Sequence, residues 1–171
     1  MIYNINYTKS FPPIIGKNPK VLILGTLPSK QSLQFQQYYG NLHNSFWKIL
    51  FKLFKRSFSS NYARKKLLAF DNNIAIWDVC YTAKRKGSLD SAIKEESPNP
   101  INELIALNPS ISIIAFNGQK AAKLYNKFFT NFDGIDYLTL LSTSPANAKY
   151  SFGEKLKNWD QIKQMIDITD N

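Results

Sequence analysis

The sequence contains one cysteine, Cys80, in 171 residues. A single thiol excludes a disulfide within the chain, a zinc site of four cysteines and a four-cysteine iron–sulfur cluster. The length is sufficient for a buried core that needs neither crosslinks nor metal. We therefore expect a protein without bound metal that belongs in a reducing compartment.

Long apolar runs are also lacking. No run approaches the roughly 20 apolar residues needed to cross a bilayer, and the first residues do not join a basic region to a following apolar one. We therefore expect no membrane association and a cytoplasmic location.

Acidic residues are scarce relative to basic ones. The sequence has 12 Asp and Glu against 22 Lys and Arg, which gives a net charge of +10. This charge attracts polyanions, so nucleic acid is the first partner to consider. The alternative is a lysine-rich surface that only keeps the protein in solution, and the composition does not separate the two.

Glycine is sparse where a phosphate-binding loop would need it. The apolar run at residues 21–24 ends in Gly25, which predicts a buried strand whose carboxyl end opens into a loop. That loop lacks the further glycines of a phosphate cradle, which disfavours an enzyme acting on small nucleotides. Pro28 fixes φ and removes a donor, and this suits a shaped loop.

Strand and helix patterns alternate along the chain, which predicts an α/β protein with a parallel sheet and helices on both faces. The predicted strands are residues 20–25, 73–79, 111–116 and 137–141. The predicted helices are residues 44–56, 62–70, 101–107, 118–129 and 154–166. The remaining features are an arm at residues 1–19 and a basic turn at 82–90. With no repeat or linker in the sequence, we expect one domain over residues 1–171.

Polar side chains follow all four predicted strands. They are Thr26 with Ser29, Asp78, Asn117, and Ser142 with Ser144 and Asn147. Because the carboxyl ends of parallel strands meet at one edge of the sheet, these side chains should line one crevice there. The crevice is the predicted site.

Four motifs occur in order between residues 21 and 159. They are GTLPS with QYYGNLHNSFW, WDV with KGSLDSAI, FNG, and STSPAN. Together they resemble the uracil-DNA glycosylase superfamily, and within it the hypoxanthine-DNA (deoxyinosine) glycosylase branch. Four motifs at compatible spacing are much more specific than one.

The resemblance implies a three-layer α/β/α sandwich on a four-stranded, mainly parallel sheet in the order 2-1-3-4. It also implies hydrolysis of the N-glycosidic bond of a deaminated base in DNA, with hypoxanthine preferred over uracil, no metal or organic cofactor, and a monomer. Such an enzyme removes the nucleotide from the stack before reaction. The alternative from another class is a non-catalytic DNA-binding domain on the same fold.

The resemblance assigns catalysis to Asn44 and Asn147. An amide is not an effective base near neutral pH, so Asn44 would orient water or the leaving base. The structural alternatives are a helix N-cap for Asn44 and a turn residue for Asn147.

The resemblance also implies a set of base-binding residues. Phe46 is expected to stack on the flipped base, an interaction worth about 1–3 kcal/mol. Asp78 is expected to accept the ring N–H that deamination creates. A core phenylalanine and a capping aspartate are the structural alternatives. The full set is Gly25, Thr26, Leu27, Tyr39, Phe46, Asp78 and Asn117.

The implied DNA contacts are Ser29, Lys30, His43, Ser144 and Ala146. His43 is expected near phosphate and not as an acid–base catalyst, since no orienting carboxylate is near it in the sequence. Ala146 offers a smaller wedge than the leucine of sister enzymes.

Two positions depart from the sister branches. Leu27 stands where several of them carry a catalytic Asp or Asn, and Ser142 stands where the uracil-specific branch has His. Both departures agree with the deoxyinosine branch.

Overall fold

The computed structural model describes residues 7–169. Its strands are β1 (Tyr7–Lys9), β2 (Val21–Gly25), β3 (Ile74–Asp78), β4 (Cys80–Arg85), β5 (Ile93–Pro98), β6 (Ile113–Asn117) and β7 (Asp136–Leu140). Its α-helices are α1 (Lys30–Phe35), α2 (Phe46–Leu53), α3 (Tyr62–Asp71), α4 (Ile101–Leu107), α5 (Gln119–Phe128) and α6 (Phe152–Thr169). The first six residues of the predicted arm lie outside the described residues.

The central sheet has four parallel strands in the order β3-β2-β6-β7. In the order of the four predicted strands this is 2-1-3-4, so the expected topology is confirmed. Leu24 of β2 is in register with Trp77 of β3 on one side and with Phe116 of β6 on the other. The strands therefore end together, at the edge where the sequence predicts the crevice.

Three strands of this sheet are buried along their whole length. Every residue of β2, β3 and β6 is buried, which requires cover on both faces and explains their nearly continuous apolar sequences. The outer edge of β3 is also closed, since Ile14 pairs with Ile76 through two backbone hydrogen bonds of 2.8 and 2.9 Å. The segment before β2 thus blocks an edge that could otherwise pair with another chain.

A second, antiparallel sheet has the order β1-β4-β5. The predicted basic turn at residues 82–90 is wrong over its first half, which belongs to β4. Cys80 and Ala83 are buried and Tyr81 is exposed, and the register of β4 with β5 shifts twice, so burial does not alternate strictly along this strand. Lys84, one of the lysines that suggested a turn, pairs with Glu95 of β5.

The two sheets are joined by the buried side chain of Asn99. Its amide nitrogen donates to the carbonyls of Asp78 and Cys80, at 2.8 and 3.0 Å, and to the Ser10 hydroxyl at 2.9 Å. These bonds satisfy buried backbone acceptors where the chain leaves β3 for β4. The end of β3 is thereby fixed.

The helices near the carboxyl edge begin at identifiable caps. The Ser29 hydroxyl accepts from the Ser32 N–H at 3.1 Å and starts α1, a helix that the sequence analysis did not predict. Six of the eight residues of α2 are buried, and α2 packs against α6 through Phe46 and Trp159, whose ring centroids are 5.6 Å apart.

Candidate active site

A cavity of about 230 Å³ opens at the carboxyl edge of the central sheet. Four segments converge on it: the loop after β2, the loop between α1 and α2, the turn after β4, and the loop after β7. The last residues of β2, β3 and β6 also line it: Gly25, Asp78 and Asn117. The predicted crevice is therefore present and brings together residues far apart in sequence.

Asp78 supplies a buried carboxyl group to this cavity. It is 4 % exposed, and within residues 7–169 its Oδ2 atom has no hydrogen-bond partner. The same holds for the hydroxyl of Tyr39. A Cβ atom on Gly25 would be 2.6 Å from Asp78 Oδ1 and 2.9 Å from the Tyr39 oxygen, so only glycine leaves room for both polar groups.

The environment of Asp78 favours its neutral form. Its pKa is raised to about 7, first by burial and then by the nearby charge of Asp90, while Arg85 acts in the opposite direction. Near neutral pH, this carboxyl group therefore exchanges between an acceptor and a combined donor and acceptor.

Arg85 and Asp90 were not predicted as site residues. The Arg85 guanidinium donates to the carbonyls of Leu27, at 3.4 Å, and Pro28. It also lies 3.7 Å from Asp90 Oδ1, which accepts from the Thr26 hydroxyl at 2.7 Å. These contacts fasten the loop after β2 to the strand and turn that follow Asp78.

The sequence contains only a weak indication of the contact between Arg85 and Asp90. The sequence places apolar side chains at Cys80 and Ala83 without a strict alternation, and the neighbouring lysines and Gly87 favour a turn. Only the antiparallel pairing with β1 and β5 brings Arg85 under the loop. No local pattern encodes that pairing.

Asn44 lines the cavity and precedes Ser45, the N-cap residue of α2. The Oδ1 atom of Asn44 accepts from the Phe46 N–H at 3.0 Å, so its carbonyl is used at the start of this helix although Asn44 is not the N-cap itself. The amide nitrogen is left as the hydrogen-bonding end available to a ligand. Ser45 donates to the Thr143 carbonyl through both its N–H and its hydroxyl, at 3.1 and 3.2 Å, which holds Asn44 beside the loop after β7.

The expected stacking of a base on Phe46 does not fit this geometry. Phe46 is fully buried, and the Tyr39 ring stacks on it with a centroid distance of 3.7 Å and an interplanar angle of 19°. Trp47 and Trp159 meet its other sides edge-on. Phe46 is thus a core residue beneath Tyr39, and Tyr39, like Tyr38, lines the cavity.

Asn117 joins the end of β6 to the loop after β7. Its amide donates to the Thr143 hydroxyl at 2.8 Å and accepts from the Thr143 N–H at 2.9 Å. Gly118 follows with φ of +96°, and a Cβ atom there would be 3.0 Å from Ser142 Cβ. This close approach requires glycine.

Asn147 occupies a turn and does not line the cavity. Its amide nitrogen donates to the Ser142 carbonyl at 3.1 Å, and its N–H donates to the Ser144 carbonyl at 3.0 Å. The geometry therefore agrees with the turn alternative, and Asn147 supports the loop that carries Ser144 and Ala146.

The predicted DNA contacts fall into two groups. Ser29, Ser144 and Ala146 line the cavity, together with Thr26 and Leu27. Lys30 and His43 are exposed and do not line it. One lysine and one histidine side chain thus lie outside the cavity, at positions where they could contact phosphate.

Within residues 7–169, no group of three or more His, Cys, Asp or Glu side chains could hold a metal ion. No helix in that part of the chain has the length and apolar character of a membrane span.

The fold and the site together define a class. The chain is an α/β protein with a polar ligand cavity at the carboxyl edge of a parallel sheet, the usual ligand position in such folds. Residues 12–166 match the family model of the uracil DNA glycosylase superfamily, and the chain belongs to this superfamily.

Curated relatives and a solved structure extend the match over most of the chain. A hypoxanthine DNA glycosylase of Methanosarcina acetivorans is 34 % identical over 155 residues, covering 90 % of this chain and 96 % of the relative. One of Methanosarcina barkeri is 34 % identical over 152 residues, covering 88 % and 94 %. The solution NMR structure of a candidate uracil DNA glycosylase from Methanosarcina acetivorans has a TM-score of 0.79 and 31 % identity, covering 95 % and 99 %.

Proposed function

We propose that this protein is a monofunctional DNA glycosylase that hydrolyses the N-glycosidic bond of hypoxanthine in DNA and leaves an abasic site. Uracil is the second substrate to test. The observation that carries the proposal is the buried carboxyl group of Asp78, unpaired beside the unpaired Tyr39 hydroxyl. The names of the two curated relatives support the same base.

Asp78 and Tyr39 offer the hydrogen bonds that a deaminated base needs. Hypoxanthine and uracil both present a ring N–H next to a carbonyl. The ionised Asp78 carboxylate accepts from the N–H, and the Tyr39 hydroxyl donates to the carbonyl. Burial raises the pKa of Tyr39, so this hydroxyl remains a donor. Adenine presents a bare ring nitrogen next to an amino group, the opposite pattern.

Asn44 is the residue we assign to the reaction. Its carbonyl is held by the Phe46 N–H, so its amide nitrogen is positioned to orient the attacking water or the leaving base. Asn147 contributes through the turn that it stabilises. Orientation of this kind lowers the barrier without proton transfer by the amide.

A cleavage panel tests the proposal. Labelled oligonucleotides carrying hypoxanthine, uracil, xanthine or a mismatch are incubated with the protein, and alkali then reveals abasic sites. We expect release of hypoxanthine, and we expect Asn44→Ala to lower its rate by about 100-fold while Asn131→Ala, at an exposed site outside the cavity, has no effect. Binding without release from any substrate would instead support the non-catalytic DNA-binding alternative.

Borohydride trapping tests the monofunctional assignment. One amine that contacts a site loop is Lys155, whose Nζ donates to the Ser144 carbonyl at 3.3 Å. We expect no covalent adduct with DNA. A trapped adduct that disappears in Lys155→Met would show a lyase step and overturn this part of the proposal.

We further propose that the chain acts as a single-domain monomer in the cytoplasm. All the residues assigned above come from one copy of the chain, so the proposed chemistry needs no second subunit. Light scattering at the concentration of the cleavage assay tests the monomer, and a shift to a dimer would contradict it.

A further inference from the structure

A second cavity, of about 350 Å³, adjoins the first. Tyr39, Asn41 and Asn44 line both cavities. The loop between α1 and α2 is thus a wall with one cavity on each side. The volume of the second cavity falls within the usual range of small-molecule sites.

The outer walls of this second cavity are large apolar side chains. Phe35 is 50 % exposed, Phe58 is 52 % exposed and Leu42 is 76 % exposed, while the buried Trp47 also lines the cavity. Exposed aromatic rings around a concave surface are typical of binding sites, and they also form the stacking surfaces on which unpaired bases bind.

The charges in this cavity are all positive. Lys48 and Lys65 line it, and no acidic residue does. Lys65 is only 8 % exposed, and within the described residues its ammonium group has no hydrogen bond or ion pair; its recorded contact is the Phe58 ring face, 6.0 Å from the centroid. The aliphatic stem of Lys65 is buried while its ammonium group stays accessible at the cavity, with no anion beside it, so this cation is available to an anionic ligand.

We propose that the second cavity binds the nucleotide next to the target, with its base between Phe35 and Phe58 and its phosphate at Lys65. The proposal rests on the proposed function, because it takes DNA as the substrate. The amides of Gln37 and Asn41, which also line the cavity, can bond to base edges. Two lysines and the net charge of +10 favour a polyanion over an apolar peptide.

The loop shared by the two cavities determines which nucleotide can bind in the second one. A base in the first cavity and a base in the second would be separated by Tyr39 and its loop. Only a neighbour in the same strand could reach across, and only after leaving the base stack. The proposed site therefore favours single-stranded DNA or a locally opened duplex.

A binding cycle tests the base contact. Short single-stranded oligonucleotides carry hypoxanthine on a 2′-fluoro sugar that blocks cleavage, and the base 5′ or 3′ to it is either present or removed. We expect removal on one side to weaken binding at least about fivefold. Phe58→Ala should abolish that difference, whereas Leu107→Ala, at an exposed leucine on α4, should keep it. Equal losses in Phe58→Ala and the wild type would overturn the proposal.

The salt dependence of binding tests the phosphate contact. Lys65→Met keeps the aliphatic stem and should reduce the slope of log affinity against log salt by about 0.7 for single-stranded DNA. Lys52→Met, at an exposed lysine on α2, is the control for a general charge effect. An unchanged slope in Lys65→Met would remove the phosphate from the site.

Failure of the glycosylase proposal and failure of the second-cavity proposal would give different experimental results. If the protein gives the expected binding cycle but releases no base, the second-cavity nucleotide site is supported and the glycosylase proposal is wrong. If the protein releases hypoxanthine but shows no coupling between Phe58 and the neighbouring base, the glycosylase proposal is supported and the second-cavity proposal is wrong. In the second case, binding of an apolar peptide would be the remaining use of the cavity.

Discussion

Asp78 is the residue at which stability and function are in conflict. A buried carboxylate without a hydrogen-bond partner is costly, and proteins usually pair or neutralise it. Here the raised pKa, about 7, shows partial neutralisation. A bound base with a ring N–H would satisfy the ionised form. We therefore expect the unfavourable state of Asp78 in the free protein to favour binding of a base with a ring N–H.

The first prediction concerns stability and pH. The pKa of Asp78 is about 7 in the folded chain against an ordinary 3.8, so the folded state holds the proton more tightly. Stability from this group is complete below pH 3.8 and is lost as pH rises through 7, by up to about 4 kcal/mol. Asp78→Asn should therefore be more stable than the wild type at pH 8.5.

Urea unfolding between pH 5 and 9 measures this difference. The gain in Asp78→Asn should shrink as the pH falls towards 5. Asp136→Asn, which removes an exposed carboxyl group on β7, is the matched control. A constant difference between Asp78→Asn and the wild type over this range would contradict the raised pKa.

The second prediction concerns discrimination between bases. The ionised carboxylate of Asp78 repels the bare ring nitrogen of adenine, but the protonated form can donate to it. The ratio of hypoxanthine release to adenine release should therefore fall as pH drops below about 7. A site that bonds a particular substrate group can reject an analogue lacking it by roughly 10⁴–10⁵, so the ratio of the two release rates can change by a large factor.

Single-turnover release from the two oligonucleotides gives this ratio, in which steps common to both substrates cancel. Asp78→Asn should lose both the discrimination and its pH dependence, because an amide can turn to offer oxygen or nitrogen. Asp78→Leu should lose excision while thermal melts show an intact fold. Unchanged rates and base preference in Asp78→Leu would make this carboxyl group purely structural.

At the scale of the elements, the strands of the central sheet were predictable because burial on both faces leaves nearly continuous apolar runs, as in residues 21–24. Polar residues at their carboxyl ends then located the cavity. The strand β4 was missed because exposed lysines and Gly87 favour a turn locally. Phe46 and Tyr39 are stacked, so only the ring nearer to the cavity can face it. Residue spacing in the sequence does not determine which of the two that is.

The third prediction follows from the link between β4 and the loop after β2. Arg85→Met removes the bonds to the carbonyls of Leu27 and Pro28 and leaves Asp90 without its cation. We expect a loss of about 1–3 kcal/mol in the free energy of unfolding, because the carbonyls of Leu27 and Pro28 lose their charged donor. Because Arg85 opposes the rise in the pKa of Asp78, that pKa should rise further.

Chemical denaturation and the pH dependence of hypoxanthine release measure the two effects of Arg85→Met. Lys84→Met is the neighbouring control, since Lys84 pairs with Glu95 at an exposed position and should change stability little. If Arg85→Met unfolded like Lys84→Met and kept the wild-type pH profile, the proposed link between β4 and the loop would be wrong.

At the scale of the whole molecule, charge is arranged by depth. The chain carries a net charge of +10, with exposed cations such as Lys30 and Lys48 near the two cavities, while Asp78 and Asp90 line the first cavity itself. A basic exterior attracts the DNA backbone. In the first cavity Arg85 offsets Asp90 and Asp78 is partly neutral, so its lining has little net charge and suits an uncharged base. The charge pattern therefore favours entry of the base with its phosphates left outside.

The last prediction tests this arrangement through salt. Each phosphate neutralised by the protein releases counterions, with a slope of log affinity against log salt of about −0.9 for duplex DNA and about −0.7 for single strands. We expect a steep loss of affinity between about 50 and 200 mM salt. Lys30→Gln, at the carboxyl edge of the sheet, should reduce the slope, whereas Lys17→Gln, an exposed lysine shortly before β2 begins, should not. Fluorescence anisotropy of labelled oligonucleotides measures all three proteins, and an affinity that stays flat over this range would remove DNA as the partner.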